Sequence, residues 1–236
     1  MKKTVLFDLD GTLLPMDQDE FVKAYFGLLA KKLAPHGYDG EKLIKAIWAG
    51  TGAMVKNDGS RSNEAAFWDC FAAVMGEHTR GDEPLFEEYY RNEFQQVRSV
   101  CGFAPAAAET VRLCHTLGAD TVLATNPIFP SVATESRMRW AGLTPEDFRY
   151  YTVYENSSFC KPNPDYYREL LQKLDLRAED CLMVGNDADE DGAVEALGIP
   201  LFLLTDCLIN KSGKELGTIP HGGFAELQTW LKEQLS

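Results

Sequence analysis

Paired cysteines and clustered histidines are both missing from this sequence of 236 residues. The six cysteines are scattered without a C-x-x-C pair, and the four histidines follow no ligand spacing. This scatter argues against a zinc site, and it gives no sign of a disulfide framework. We therefore expect reduced, partly buried cysteines, as in a cytoplasmic protein.

Positive charge is scarce, and long apolar runs are absent. Lys and Arg number 23 against 36 Asp and Glu, so the formal net charge is −13. This balance argues against nucleic acid or an anionic membrane surface as a partner, although a buried pocket can still hold positive charge for an anion. The apolar stretch at residues 4–7 is too short for a signal peptide, and no segment is long enough to span a bilayer. We take a monomer as the default expectation.

What the sequence does contain, in residues 3–8 and again after residue 104, is a regular alternation of predicted helices and strands. Strands are predicted at 3–8, 120–125, 150–154, 180–184 and 200–204. Helices are predicted at 106–117, 129–140, 163–174, 189–197 and 223–235. This alternation predicts an α/β fold with a doubly wound parallel sheet, which binds its ligand outside the carboxyl ends of the strands.

The stretch between the first strand and residue 104 has a different pattern. Apolar residues recur at helical spacing from about 19 to 96, with breaks at 35–37, 57–60 and 81–84 and no convincing strand. We therefore predict a Rossmann-like core formed by 1–15 and 104–236, interrupted by an all-helical insertion at 16–103.

The most informative residues follow the first strand, in the sequence Asp8-Leu9-Asp10-Gly11-Thr12. Side chains two apart on a strand point the same way, so Asp8 and Asp10 can converge beyond its end. Two close carboxylates repel each other unless one is protonated or a cation lies nearby. A hard divalent ion such as Mg²⁺ suits these oxygen ligands.

Three more motifs each follow the carboxyl end of a predicted strand or lie in a stiff loop. Thr125 and Asn126 offer a hydroxyl and backbone N–H groups to an anionic oxygen. Lys161, before Pro162, can approach a phosphate or neutralise carboxylates. Residues 184–191 bring an acidic run that exceeds what capping a helix needs. Together these motifs predict a site for a metal and a phosphate group.

The same four motifs in the same order make the chain resemble the haloacid dehalogenase-like hydrolases. The resemblance implies that Asp8 is the nucleophile that forms an aspartyl-phosphate and that Asp10 is the general acid and base. It implies phosphoryl contacts from Thr125, Asn126 and Lys161. It also implies Mg²⁺ as cofactor, a mobile cap at 16–103, and small phosphorylated metabolites as substrates.

The fourth motif departs from the pattern common in that family. Many relatives have aspartate directly after the glycine, where this chain has Asn186. Asp187 is adjacent, and Asp191 fits the second acid of the motif. The metal-ligand assignments are therefore Asp8, Asp10, Asn186, Asp187 and Asp191, with the choice between Asn186 and Asp187 left open.

The residues favour a Mg²⁺-dependent phosphatase over several other functions. Asp10 argues against a metal-free 2-haloacid dehalogenase and against a phosphonoacetaldehyde hydrolase. A signalling receiver domain is about half as long and arranges its acidic pair differently. A sugar phosphomutase keeps Asp10 and differs only in the phosphoryl acceptor, and Asn186 leaves open a weakened phosphate-binding homologue.

Overall fold

The centre of the molecule is a sheet of six parallel strands in the order β3-β2-β1-β4-β5-β6. The computed structural model describes residues 2–236. The strands are β1 (Thr4–Phe7), β2 (Asp120–Leu123), β3 (Tyr150–Tyr151), β4 (Cys181–Gly185), β5 (Leu201–Leu204) and β6 (His221–Gly222). The chain leaves β1 toward β2 and β3, then crosses to β4 on the other side. The predicted doubly wound α/β fold is thus confirmed, with its switch point at β1.

Strand β1 is apolar on both sides, and helices cover both faces of the sheet. Val5 and Phe7 belong to one buried cluster and Leu6 to another, as expected when successive strand residues point to opposite faces. The helices that follow the insertion are α5 (Pro105–Thr116), α6 (Ser131–Trp140), α7 (Pro164–Leu174) and α8 (Phe224–Leu235). Among residues 2–236, none of the helices combines the length and apolar character that crossing a bilayer requires.

Residues 17–100 form helices and turns, and the structure places no strand in this range. The helices are α1 (Gln18–Leu33), α2 (Gly40–Val55), α3 (Asn63–Met75) and α4 (Glu83–Arg91), followed by a 3-10 helix at Glu93–Val100. Asp17, Asp39 and Ser62 cap the first three helices by accepting backbone N–H groups. Aromatic rings hold the segment together, with Tyr25 packed against Tyr89 at a centroid distance of 5.9 Å.

The two chain crossings between this helical segment and the sheet lie side by side. Met16 and Cys101 form an isolated antiparallel bridge, and Gly102 N donates to Pro15 O at 2.7 Å. The predicted boundaries at 15/16 and 103/104 fall beside this pair of crossings. The insertion therefore leaves and re-enters the sheet region at one place.

Three elements differ from the predictions, and the first is β3, which covers only Tyr150–Tyr151 of the predicted 150–154. The predicted helix at 189–197 is a 3-10 helix at Asp191–Leu197, preceded by a turn in which Asp187 Oδ1 accepts from Asp189 N and Glu190 N. These bonds to the Asp187 side chain offer the backbone an alternative to the regular hydrogen bonds of an α-helix. The sixth strand was not predicted, because two residues are too few to produce an alternating pattern.

Candidate active site

Asp8 lies directly beyond β1 and is almost fully buried. Its backbone N donates to Val184 O of β4 at 2.9 Å, which extends the sheet by one residue. Thr12 Oγ1 lies 3.0 Å from Asp8 Oδ2 and 2.9 Å from Asn186 Oδ1. Gly11 turns the chain with φ +86°, and a Cβ there would lie 2.3 Å from Asn186 Nδ2. Glycine is therefore required by both the backbone angle and the close approach.

Lys161 lies in the loop before α7, and its side chain extends to Asp8. This lysine is 1% exposed. Its Nζ donates to Asp8 Oδ1 at 2.9 Å and to Asp191 Oδ1 at 2.6 Å. Burial by itself would lower the pKa of Lys161, but the charges of Asp191 and Asp8 outweigh it and raise the pKa well above its ordinary value. The ammonium group is therefore charged and shared between two carboxylates.

Asp191 organises the loop after β4. Its Oδ2 accepts from Asn186 N and from Asp187 N, both at 3.0 Å. A Cβ on Gly185 would lie 2.1 Å from this same oxygen, so this glycine makes room for the carboxylate. Burial raises the pKa of Asp191 to about 6, against the opposing effect of Lys161. We call Asp8, Thr12, Lys161, Asn186 and Asp191 the sheet-edge cluster.

Thr125 and Asn126 follow β2 at the edge of this cluster. The buried Thr125 offers its backbone O to Thr152 Oγ1 at 2.6 Å. Asn126 Oδ1 accepts from Lys161 N at 3.2 Å, and its Nδ2 donates to Glu190 Oε2 at 3.0 Å. The four motifs predicted from the sequence are thus brought together at the carboxyl ends of β1, β2 and β4.

Asp10 has a partner that the sequence analysis missed, the fully buried Arg137 of α6. The guanidinium donates to Asp10 Oδ2 and, at 3.2 Å, to Thr134 Oγ1, and it lies 4.3 Å from the ring centroid of Phe129. Burial raises the pKa of Asp10, with Arg137 opposing and Asp8 adding to the rise.

A sequence signal for the buried position of Arg137 does exist. Ala133 and Ala141, four residues before and after it, are buried apolar residues, so residue 137 falls on the inward stripe of α6. An arginine on such a stripe needs a buried acidic partner, but the spacing does not say which one.

A cavity of about 910 Å³ opens above Asp8. Its lower part is lined by sheet-edge residues that include Asp8, Asp10, Thr125, Asn126 and Asn186. The remainder, which we call the cavity wall, is formed by cavity-lining residues within 16–103, 128–139 and 154–155. All of the predicted site residues except Lys161 therefore line a cavity large enough for a small organic molecule.

A divalent ion such as Mg²⁺ fits the donors in this cavity. Asp8 Oδ2 and Asn186 Oδ1 both lie within 3.0 Å of the Thr12 hydroxyl. That hydroxyl has a single hydrogen and can bond only one of the two oxygens at a time, so the other oxygen is free to bind a metal ion. Asp10 Oδ1 is buried without a hydrogen-bond partner. Among residues 2–236, no group of three or more His, Cys, Asp or Glu side chains is placed to hold a metal. Mg²⁺ tolerates such a set, because it keeps several waters and binds through one or two carboxylates.

The chain belongs to the haloacid dehalogenase-like hydrolases, whose family model matches residues 2–198. It is 28% identical over 206 residues to a phosphoglycolate phosphatase of Aliivibrio fischeri, covering 86% of this chain and 84% of that protein. It is 25% identical over 209 residues to a ribulose-1,5-bisphosphate 5-phosphatase of Halopiger xanaduensis, with the same coverage. The predicted family is thus confirmed, and these relatives support the predicted class, a phosphoric monoester hydrolase.

The fold comparison agrees with the sequence comparison. The crystal structure of a HAD phosphatase from Thermococcus onnurineus matches with a TM-score of 0.59 at 18% identity, covering 98% of both chains. At this identity the likeness concerns the fold, and it extends over the helical segment as well as the sheet.

Proposed function

We propose that the protein is a Mg²⁺-dependent phosphatase that hydrolyses small phosphorylated metabolites through an aspartyl-phosphate. The observation that carries the proposal is Asp8, a nearly buried carboxylate that lines a cavity and is held by Lys161 and by the Thr12 hydroxyl. A carboxylate fixed in this way is a positioned nucleophile beside a positive charge that attracts a phosphoryl group.

The first half of the reaction uses Asp8 and Asp10. A carboxylate oxygen of Asp8 bonds to phosphorus, the ester P–O bond breaks, and the leaving oxygen takes a proton from Asp10. Burial raises the pKa of Asp10 and so favours the protonated form that this step needs.

In the second half, water attacks phosphorus and gives its proton to Asp10. The P–O bond to Asp8 then breaks, which releases phosphate and restores the Asp8 carboxylate. Arg137 stabilises ionised Asp10, the form that accepts this proton.

Thr125, Asn126 and Lys161 hold the phosphoryl oxygens in this proposal. All three lie at the carboxyl end of the sheet, and Asn126 is tied to the Lys161 backbone at 3.2 Å. Because these groups are fixed before substrate arrives, they lose little freedom when it binds.

The residues proposed to hold Mg²⁺ are Asp8, the backbone carbonyl of Asp10, and Asn186, with Asp187 and Asp191 in supporting positions. Asp187 Oδ1 already caps the following turn, and both Asp191 oxygens are occupied, so the contacts favour Asn186 over Asp187 as the ligand. When bound, Mg²⁺ neutralises the charge of the phosphoryl oxygens and allows an anionic nucleophile to approach. The amide of Asn186 adds no negative charge of its own.

Residues 16–103 act as a cap in this proposal, with 1–15 and 104–236 as the catalytic core. The paired crossings at Pro15 and Gly102 place the connections together, as a hinge requires. A cap that encloses the cavity excludes water and bulky substrates, which favours small phosphate esters.

The test is phosphate release from a panel of small phosphate esters with and without Mg²⁺. Asp8→Asn is expected to lower turnover at least about 1,000-fold because the amide is a poor nucleophile. The matched control is Asp120→Asn, since Asp120 lies at the opposite end of the sheet in the register Thr4↔Asp120. Phosphoryl transfer to a second hydroxyl without phosphate release would instead indicate a phosphomutase. Binding of phosphate without turnover would indicate a weakened homologue.

A further inference from the structure

The charges on the cavity wall are strongly unbalanced. Five glutamates and two arginines line it: Glu64, Glu83, Glu87, Glu135, Glu155, Arg91 and Arg139. Arg91 pairs with Glu87, and Arg139 pairs with Glu135 at 3.7 Å. Both arginine side chains are more than half exposed. The cations of the wall are therefore already matched by acids on their own helices.

The other three glutamates have no lysine, arginine or histidine within salt-bridge distance in the described part of the chain. Glu155 instead accepts from Ser131 N at 2.8 Å. Glu64 is half-buried, and burial together with the charges of Glu155 and Glu83 raises its pKa. Glu64, Glu83 and Glu155 thus line one cavity with no cation in contact, and a further anion in that cavity would be repelled by their negative charges.

The rest of the wall is apolar and largely aromatic. Phe21, Phe67, Trp68 and Phe129 line the cavity. Trp48 and Val55 also line it, and they are among the few large apolar side chains of the protein that are exposed, at 52% and 44%. Apolar surface exposed at the opening of a cavity gains free energy when an organic group covers it.

Resting on the proposed phosphatase function, we infer that the enzyme selects phosphate monoesters whose alcohol part carries no second anionic group. The phosphoryl group itself is matched by the charge of Lys161, which is bonded to the cavity-lining Asp8. The alcohol part lies against the aromatic wall and the unpaired glutamates, which accept a neutral or cationic group and repel a carboxylate or a second phosphate. This class differs from phosphoglycolate and ribulose 1,5-bisphosphate, which both carry a second anionic group.

The test uses three esters that share one reacting centre: benzyl phosphate, 4-carboxybenzyl phosphate and 4-(aminomethyl)benzyl phosphate. The carboxylate ester is expected to have a kcat/KM about tenfold below that of benzyl phosphate, and the aminomethyl ester a value equal to or above it. The double variant Glu64→Gln, Glu83→Gln is expected to bring the carboxylate ester closer to benzyl phosphate. Glu179→Gln, at an exposed site outside the cavity lining, should leave the ratio unchanged.

The outcomes separate this inference from the proposed function. If neither these three esters nor any ester of the wider panel releases phosphate, the phosphatase function itself fails. If benzyl phosphate is hydrolysed and the carboxylate ester is equal or better, the function stands and the charge selection is overturned. A ratio that the double variant does not change would also overturn it, since the glutamates would then not be its cause.

Discussion

The sheet-edge cluster and the cavity wall lie on the same cavity, and they differ in whether their carboxylates are paired with a buried cation. In the cluster the lysine is buried between two carboxylates, and Arg137 is buried against Asp10 nearby. On the wall, three glutamates face the cavity without a cation, and the two arginines that line it are exposed.

We relate this difference to two tasks of the site, the reaction at phosphorus and the selection of the alcohol group. Chemistry at phosphorus needs groups that are already in place, and in the cluster Lys161 is held by Asp8 and Asp191 before substrate binds. Selection among alcohol groups needs a surface that can vary without disturbing that geometry. The wall provides such a surface, because its charges and rings are not tied into the cluster.

The largest expected effect concerns the buried pair of Arg137 and Asp10. Arg137→Met is expected to destabilise the protein by about 3 kcal/mol, because it leaves the Asp10 carboxylate in a largely buried place without its cation. Arg139→Met, two residues along the same helix and half exposed, is the matched control and should cost about 0.5 kcal/mol or less. Urea denaturation of both variants measures the difference. Equal midpoints would mean that the Arg137 pair contributes no more than an exposed one.

An intermediate effect is expected at Glu190, which lines the cavity and accepts from Asn126 at the edge of the cluster. Burial raises its pKa from an ordinary value of 4.5 to about 7, with Lys161 opposing. The folded protein then binds this proton more tightly than the unfolded chain, so stability falls as pH rises from about 4.5 to about 7.

Glu190→Gln should remove that loss. Without added metal, the variant should gain roughly 3 kcal/mol relative to the parent protein between pH 4.5 and pH 8. Glu195→Gln, at an exposed site paired with Lys214, is the control and should follow the parent at both pH values. The comparison is read from urea midpoints, and parallel pH curves for Glu190→Gln and the parent would contradict it.

The smallest effect is expected on the wall itself. Trp48→Ala should change stability by about 1 kcal/mol or less because the indole is half exposed, yet it should raise KM for benzyl phosphate about fivefold with little change in kcat. Val74→Ala, at another exposed apolar residue that does not line the cavity, should leave KM unchanged. Steady-state kinetics with benzyl phosphate measure both constants. A fall in kcat with constant KM would contradict the prediction and would indicate that Trp48 acts in the chemical step.

Much of the architecture could be predicted because its signals are local. The apolar residues of β1, β2, β4 and β5 mark buried parallel strands, and Asp8 must follow the first of them wherever the sheet forms. The helical spacing between residues 19 and 96 likewise predicted a helical segment, and its predicted breaks at 35–37, 57–60 and 81–84 fall at or next to gaps between the observed helices. The strand β6 was missed because two residues carry no long pattern, and the helix predicted at 189–197 is a 3-10 helix because the Asp187 side chain bonds the backbone before it.

By itself, the sequence determined the doubly wound sheet, the helical insertion and the edge at which Asp8, Thr125, Lys161 and Asn186 meet. Parallel strands place their carboxyl ends on one edge, so the order of motifs along the chain is enough to bring them together. Only the tertiary structure decided the partners: Asp10 with Arg137, 127 residues away, and Asp191 with Lys161. Such pairs depend on where side chains from separate elements point after packing, and no spacing along the chain records that direction.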